Sequence, residues 1–459
     1  MKPIAGICVG SRLAYALDLR FFPHVVRVAA CAAIVVVFVV PASGQAPASL
    51  LPRAPASLQE PPASVQEPPA SPQAPIASAQ EPPPEHHHHE MPADESKVWR
   101  WSADANAFVG YNDQVRHFAD FRGWESQNWA MGSGERALGR GRLQLEMMLS
   151  LEPFTVPAGG SPQLFQTGES YKRTPLVNLQ HQHDLLMGLG ATYRFTLRTV
   201  QITGGADLVG APTIGPTPFM HRESARDNPQ VPLTHHFMDS THISAGVLRV
   251  GVTRGSLTLE TSAFRGAEPD EDRLNIERPA LDSWAVRGRY DAGHWHAQIS
   301  TAHLEQPEWF EPYDQTRITA SIGFEGTVGA RPLTATAAWG GTREFNGFNG
   351  NADGYLLEWD LRAARRSTVY GRAEVADKDL FGLGLHPKGF SHRHVFYKVG
   401  ALTAGYVFDV AANRWGRFGV GVDATVYHMP TDLDVYYGGS HSYHAFLRWR
   451  PVVQAPHVH

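Results

Sequence analysis

Between Leu143 and Leu151 every second residue is apolar (Leu143, Leu145, Met147, Leu149, Leu151), and the positions between them include Gln144, Glu146 and Ser150. One apolar and one polar face at a period of two predict a β-strand. The alternation returns in Leu257, Leu259, Thr261 and Ala263, in Tyr355, Leu357, Trp359 and Leu361, and in Phe418, Val420, Val422, Ala424 and Val426. Fourteen strands are predicted in this way, near 143–151, 185–197, 200–209, 241–252, 257–264, 284–290, 295–304, 316–325, 332–340, 355–363, 368–376, 394–408, 417–427 and 441–450. Upstream, Ala103–Gly110 and Gln127–Ser133 predict one more hairpin, which raises the count to about sixteen. With that segment folded inside, the count stays at fourteen.

The connections between these strands are alternately long and tight: long after 151, tight at 198, long after 209, tight at 253, long after 264, tight at 291. An outer-membrane barrel has tight periplasmic turns and long external loops, whereas a soluble sandwich has no reason for this alternation. The predicted fold is therefore all-β, a transmembrane antiparallel β-barrel with its long loops on one side and both ends periplasmic; a large soluble β-protein is the alternative. The inward positions carry both signs, among them Arg142, Glu146, Arg194, Asp207, Glu260, Arg287, Arg289, Glu358, Asp360, Arg362, Arg372, Glu374, Asp423 and Arg448. A wet lumen is expected for them unless something fills it, and the long connections, chiefly 152–182 and 210–240, are expected to fold over or into the mouth. The formal net charge of -5 gives no pointer to nucleic acid.

The first hundred residues follow other rules. Arg12, Arg20 and Arg27 precede an apolar run from Val28 to Val40 and then Pro41 and small residues, which predicts a signal peptide over 1–44. Residues 45–98 are rich in Pro, Ala, Ser and Glu and repeat PASLQEP, PASVQEP, PASPQAP and IASAQEP before a tract of His86, His87, His88 and His89. That composition predicts a disordered, extended linker in the periplasm, within reach of peptidoglycan or a periplasmic partner, and the barrel then spans 99–459. The only cysteines, Cys8 and Cys31, fall in the signal segment, so disulfide, zinc-finger and thiol-enzyme chemistry are excluded from the mature chain.

Thirteen of the eighteen histidines from His117 onward fall in the long connections or at the strand ends beside them. His181, His183, His221, His235, His236 and His242, supplemented by Met220, Met238 and Asp239, are the candidate metal ligands, because imidazole, thioether and carboxylate together suit a Cu or Zn ion. "SHRH" at 391–394 is a further candidate segment, and a solvated polar loop is the plainer alternative. A catalytic alternative is a barrel hydrolase, with Ser224 or Ser240 activated by His221 or His242 and oriented by Asp227, Asn228 or Asp239. No strained nucleophile turn of the GxSxG kind accompanies these residues. The principal reading is not an enzyme and assigns no cofactor beyond a Cu or Zn ion.

"FQTGE" at 165, "QHQHDLLM" at 180, "FMHRESARDNP" at 219, "HHFMDSTHIS" at 235 and "AFRGAEPDE" at 263 resemble sequence blocks of uncharacterised bacterial outer-membrane barrel-like envelope proteins associated with copper resistance loci. The resemblance covers roughly residues 100–450. It implies a barrel-like envelope protein and adds weight to copper, without assigning an activity to any residue. Together these readings predict a Gram-negative outer-membrane channel that passes or binds small solutes or metal ions. Its partners would be membrane lipid and the barrel-assembly machinery. A non-catalytic structural envelope protein is a further alternative.

Overall fold

The computed structural model describes residues 98–308, 313–344, 350–385 and 395–451. The predicted signal peptide, almost all of the linker, His86–His89, the "SHRH" segment and residues 452–459 lie outside the described residues. One antiparallel sheet accounts for the barrel: β1 (Arg100–Arg116), β2 (Ala119–Glu125 and Asn128–Leu138), β3 (Gly141–Leu149), β4 (Leu186–Leu197), β5 (Val200–Gly210), β6 (Ser244–Arg254), β7 (Leu257–Phe264) and β8 (Ser283–Ala292). Around the other half run β9 (Trp295–Leu304), β10 (Gln315–Val328), β11 (Arg331–Glu344), β12 (Asn351–Ala364), β13 (Ser367–Asp379), β14 (Phe396–Asn413), β15 (Gly416–His428) and β16 (His441–Arg450). The two arms of β2 pair with successive stretches of β1 and form one interrupted strand, so the barrel has sixteen strands. β1 also pairs with β16, from Ala107↔Trp449 to Val115↔His441, and this closes the sheet.

Closure leaves no strand edge, which the interior of a bilayer demands. The outward positions of the wall are apolar: Val250, Leu259, Ile299, Ile322, Val422 and Leu447 are all exposed. Exposed aromatics flank that band, with Trp101, Trp295 and Trp415 near the tight turns and Trp124, Trp284, Tyr355 and Tyr443 near the long loops. An apolar belt between two aromatic girdles is the exterior of a lipid-embedded barrel. Inward positions alternate with these and pair across strands, as in Glu260 with Arg287 at 2.9 Å and Glu358 with Arg372 at 3.1 Å.

The first hairpin differs from the sequence expectation. Instead of a long connection between residues 110 and 127, both strands continue to a two-residue turn at His117–Phe118. Phe118 adopts φ +66 there, a conformation usually announced by glycine, so the sequence carries no turn signal. β6 also starts later than expected, because Ser240–His242 form a 3₁₀ turn that belongs to the preceding loop.

The packed core lies inside the barrel, between wall and inward-folded loops. Residues 150–185 and 211–243 enter the lumen, and their apolar side chains bury against inward wall residues. Met131, Met148 and Met187 meet Phe219 and Met220, while Leu164, Phe165 and Leu233 meet Val399 and Ala401. Phe237 and Met238 pack on Ala338, Ala352, Leu356 and Ala376. Sulfur-containing side chains suit such an irregular contact because they adapt to its shape.

Candidate functional site

Irregular backbone inside a barrel must find partners for its N–H and C=O groups, and here the wall supplies them. In the 211–243 loop, Thr213 N donates to Ser262 on β7 and Gly215 N to Ser300 on β9. On the opposite wall, Arg372 and Lys378 of β13 donate to the carbonyls of Gln230 and Leu233, and Glu374 accepts from Thr234. Arg222 lies between Asp239 at 2.9 Å and Glu358 of β12 at 2.5 Å, all three side chains buried. At the seam, Asp227 pairs with Arg448 and Arg450 of β16, and Asn106 of β1 donates to the Arg226 carbonyl. Burial alone would raise the Asp227 carboxyl, but Arg450 and Arg448 outweigh it and hold it down at about 2. The 150–185 loop docks beside its neighbour: Asn112 donates to the Pro162 carbonyl, Gln163 to the Val231 carbonyl, and Phe165 stacks on Tyr437 at 4.3 Å.

Beneath these loops, toward the tight turns, a cavity of about 1170 Å³ remains. Arg194, Arg249, Arg287, Glu146, Asp207 and Glu260 are among its wall residues, while Arg222, His221 and His242 belong to its roof. The lumen is therefore a mixed-charge vestibule under a folded cap. The open lumen is confined to the lower part, because apolar groups of the long connections expected to fold over or into the mouth fill the upper part.

Five of the six predicted histidines meet in that cap. His242 stands in ring contact with His183, centroids 5.4 Å apart, and with His235 at 5.2 Å. His181 lies 6.2 Å from His183 and His236 5.5 Å from His235. Each of the three central rings has its Nδ1 engaged: His183 donates to Glu152 at 2.9 Å, His235 to Asp239 at 2.7 Å and His242 to the Asp239 carbonyl at 2.7 Å. A ring that donates through Nδ1 presents a lone pair at Nε2. The Nε2 atoms of His183 and His242 are buried and have no hydrogen-bond partner. Burial holds His242 well below the ordinary imidazole value, and the neighbouring His235 and His183 rings lower it further. His181 and His236 are likewise held down, chiefly by burial. Neutral imidazole is the metal-binding form.

The remaining candidates have other surroundings. His221 leaves the cluster and stands edge-on to Trp129 at 4.7 Å. Met220 and Met238 lie in two separate apolar clusters. Asp239 orients His235 and anchors Arg222, and these two neighbours outweigh its burial to hold its carboxyl well below the usual range. Among the described residues, the ligand atoms of one group of three come within 4.8 Å of one another, namely His236, Glu268 and Glu308, and the His183–His235–His242 triad is wider than that.

The hydrolase arrangement is not what forms in the loop. Ser224 bonds Thr336 at 2.7 Å and Glu358 at 3.0 Å, Ser240 accepts from Arg317 at 2.9 Å, and Asp227 is held by arginines.

Sequence reasoning missed the acids and bases around the histidines. Glu152 holds His183, Glu169 faces His181 at 2.9 Å, and Arg273 reaches Glu169 and Asp184. Burial, reinforced by the neighbouring Glu169, pushes the Glu268 carboxyl up to about 7. Glu169 and Glu268 sit in the blocks "FQTGE" and "AFRGAEPDE", the one local signal that marks them.

Closed wall, apolar belt, aromatic girdles and capped lumen together define a Gram-negative outer-membrane β-barrel. No family model matches the chain, and no curated relative matches it. Among solved structures it is similar to an anion-selective porin from Comamonas acidovorans, at 11% identity over 77% of this chain and 99% of that one, with a TM-score of 0.45. It is also similar to OmpF of Salmonella typhi in complex with daunomycin, at 9% identity over 78% and 98% of the two chains, with a TM-score of 0.49. The third is opdK of Pseudomonas aeruginosa, at 10% identity over 76% and 98%, with a TM-score of 0.40. The assignment to an outer-membrane barrel rests on the wall and exterior of this chain, not on these likenesses.

Proposed function

We propose that the barrel passes or binds small solutes, and that transition-metal ions, copper before zinc, are held by the histidine cluster at its mouth. The observation that carries the reading is His242 in contact with both His183 and His235, each ring oriented through Nδ1, at the roof of the vestibule. Two imidazoles bound through Nε2 to one tetrahedral ion at about 2.0–2.1 Å have centroids roughly 5 Å apart, a value each pair approaches separately, while the three ligand atoms together stand wider than 4.8 Å and would have to draw in around an ion. Carboxylate or carbonyl acceptors behind the rings are the usual support of metal-binding histidines. His181 and His236 complete the cluster, with Asp239 as its orienting group. His221 and Met220 line the vestibule roof, on the path to it, and Met238 packs behind the loop.

In this reading residues 1–44 address the chain to the envelope. Residues 45–98 tether the barrel in the periplasm, where peptidoglycan or a periplasmic protein is the partner. Copper is preferred over zinc on the resemblance to proteins of copper resistance loci. The test is single-channel current of the refolded full chain in a planar bilayer, with and without micromolar Cu(II). Copper-sensitive current steps are expected in the wild type, and steps insensitive to copper in a His183→Ala/His235→Ala/His242→Ala variant. Equal block in both proteins removes the metal site, and absence of current in both removes the channel.

A further inference from the structure

On the far side of His236 three loops converge. His236 belongs to the 211–243 loop, Glu268 to the connection after β7 and Glu308 to the connection after β9. The His236 Nδ1 lies 3.3 Å from Glu308 Oε1 and 4.0 Å from Glu268 Oε1. Both carboxylate side chains are more than nine-tenths buried, at 6% and 9% exposure. Glu268 Oε1, the oxygen directed at His236, is buried without a hydrogen-bond partner.

A simple His–Glu hydrogen bond accounts poorly for these facts. Charge-assisted N–H···O contacts close to about 2.7–2.9 Å, and a buried carboxylate oxygen left without a donor is costly. Donors arranged around one ion at about 2.0–2.2 Å stand roughly 3.3–3.6 Å apart, so one separation fits already and the other needs a few tenths of an ångström. Arg317 donates to the adjacent Ser240, which keeps a fixed cation near the carboxylates without occupying the oxygen that faces His236.

We propose that His236, Glu268 and Glu308 form a divalent-cation site that clamps the inward loop to the two outer connections. One imidazole with two carboxylates is a borderline-to-hard donor set, suited to Zn²⁺ or Mn²⁺ and unsuited to Cu(I). The site differs from the His183–His235–His242 cluster in donors and in place, and it does not depend on the barrel conducting. An ion there binds the capped state alone and therefore stabilises it by mass action.

The test is Zn²⁺ titration of chelator-stripped full-length protein in detergent against a chromophoric chelator, with X-ray absorption of the Zn²⁺ form. Expected, in a His183→Ala/His242→Ala background that removes the histidine cluster, is a Zn²⁺ whose shell has one imidazole and otherwise oxygen. Glu268→Gln and Glu308→Gln should each weaken it by about tenfold or more, while His183→Ala/His242→Ala should leave it unchanged. Heat-modifiable gel migration of each variant verifies that the barrel is folded. Unchanged Zn²⁺ affinity in a folded Glu268→Gln/Glu308→Gln double variant, a shell of several imidazoles, or no binding by the wild type would each overturn the proposal. A multi-imidazole shell would do so while leaving the histidine cluster of the proposed function standing.

Discussion

The barrel wall and the two loops inside it are held together by opposite means. The wall is regular: its strands exchange backbone hydrogen bonds with their neighbours, its outward residues face lipid, and its inward residues form short-range pairs such as Arg249 with Asp207. The loops have almost no regular structure, and they are fixed by single side chains of β1, β7–β13 and β16 that bond individual N–H, C=O, hydroxyl and charged groups of the loop. A wall tolerates the loss of any one inward side chain, whereas a loop fixed by a few buried charges depends on each of them. Capping is thus a separable property carried on a self-sufficient scaffold.

Removing the loop between Gly215 and Asp239 is the strongest test of that separation. The barrel is expected to refold, with unaltered β-sheet circular dichroism and heat-modifiable migration, and to show a several-fold larger conductance. Failure to refold would mean that the wall is not self-sufficient. Next in size, Arg222→Ala removes the buried cation shared by Asp239 and Glu358, leaving Glu358 with Arg372 and Asp239 with His235, a change that costs up to about 3–5 kcal/mol. The effect should fall on the cap, seen as protease cleavage within 211–243, and leave the melting of the barrel nearly unmoved. A third test concerns the wall alone: Ile299, 63% exposed toward lipid in the middle of β9, replaced by Arg should cost about 2–4 kcal/mol in bilayer refolding, without any effect on loop cleavage.

The smallest effect concerns acid. The Asp227 carboxyl sits at about 2 in the folded cap, against about 3.9 in an unfolded chain. Its contribution is therefore fully present above pH 4 and lost as pH falls through 2, about 2–3 kcal/mol in all. Pepsin cleavage of the 211–243 loop should rise over that interval in the wild type, and Asp227→Asn should already be loosened at pH 5, with a flatter acid profile.

The same contrast decides what the sequence makes legible. β7 could be read from Leu257 and Leu259 against Thr258 and Glu260 because a lipid-facing wall enforces alternation at every position. The top of β1 is not legible: Asn112 and Gln114 face inward, but Asp113 interrupts the apolar face near the membrane boundary, and the Phe118 turn lacks glycine. At the site, the histidines gather as their shared position in long connections suggests. Their partners are another matter, since Glu152 finds His183 and Glu308 finds His236 over sequence distances that no local pattern encodes. Met220 and Met238 were grouped with the histidines because they are neighbours in sequence, but in space their side chains turn to two apolar clusters.

The meeting of the 211–243 loop with the seam bears on how the chain assembles. Closing the barrel joins β1 to β16 across nearly the whole folded chain, the longest-range pairing in the molecule, and such pairings are the slowest to find. Arg226 and Asp227, adjacent in sequence and nearer its start than its end, hold β1 and β16 respectively, at separations of 120 and 221 residues. A loop that grips both margins shortens the search, so the cap serves as a guide that brings the first and last strands into register, and capless chains should close more slowly than capped ones, to the same closed barrel.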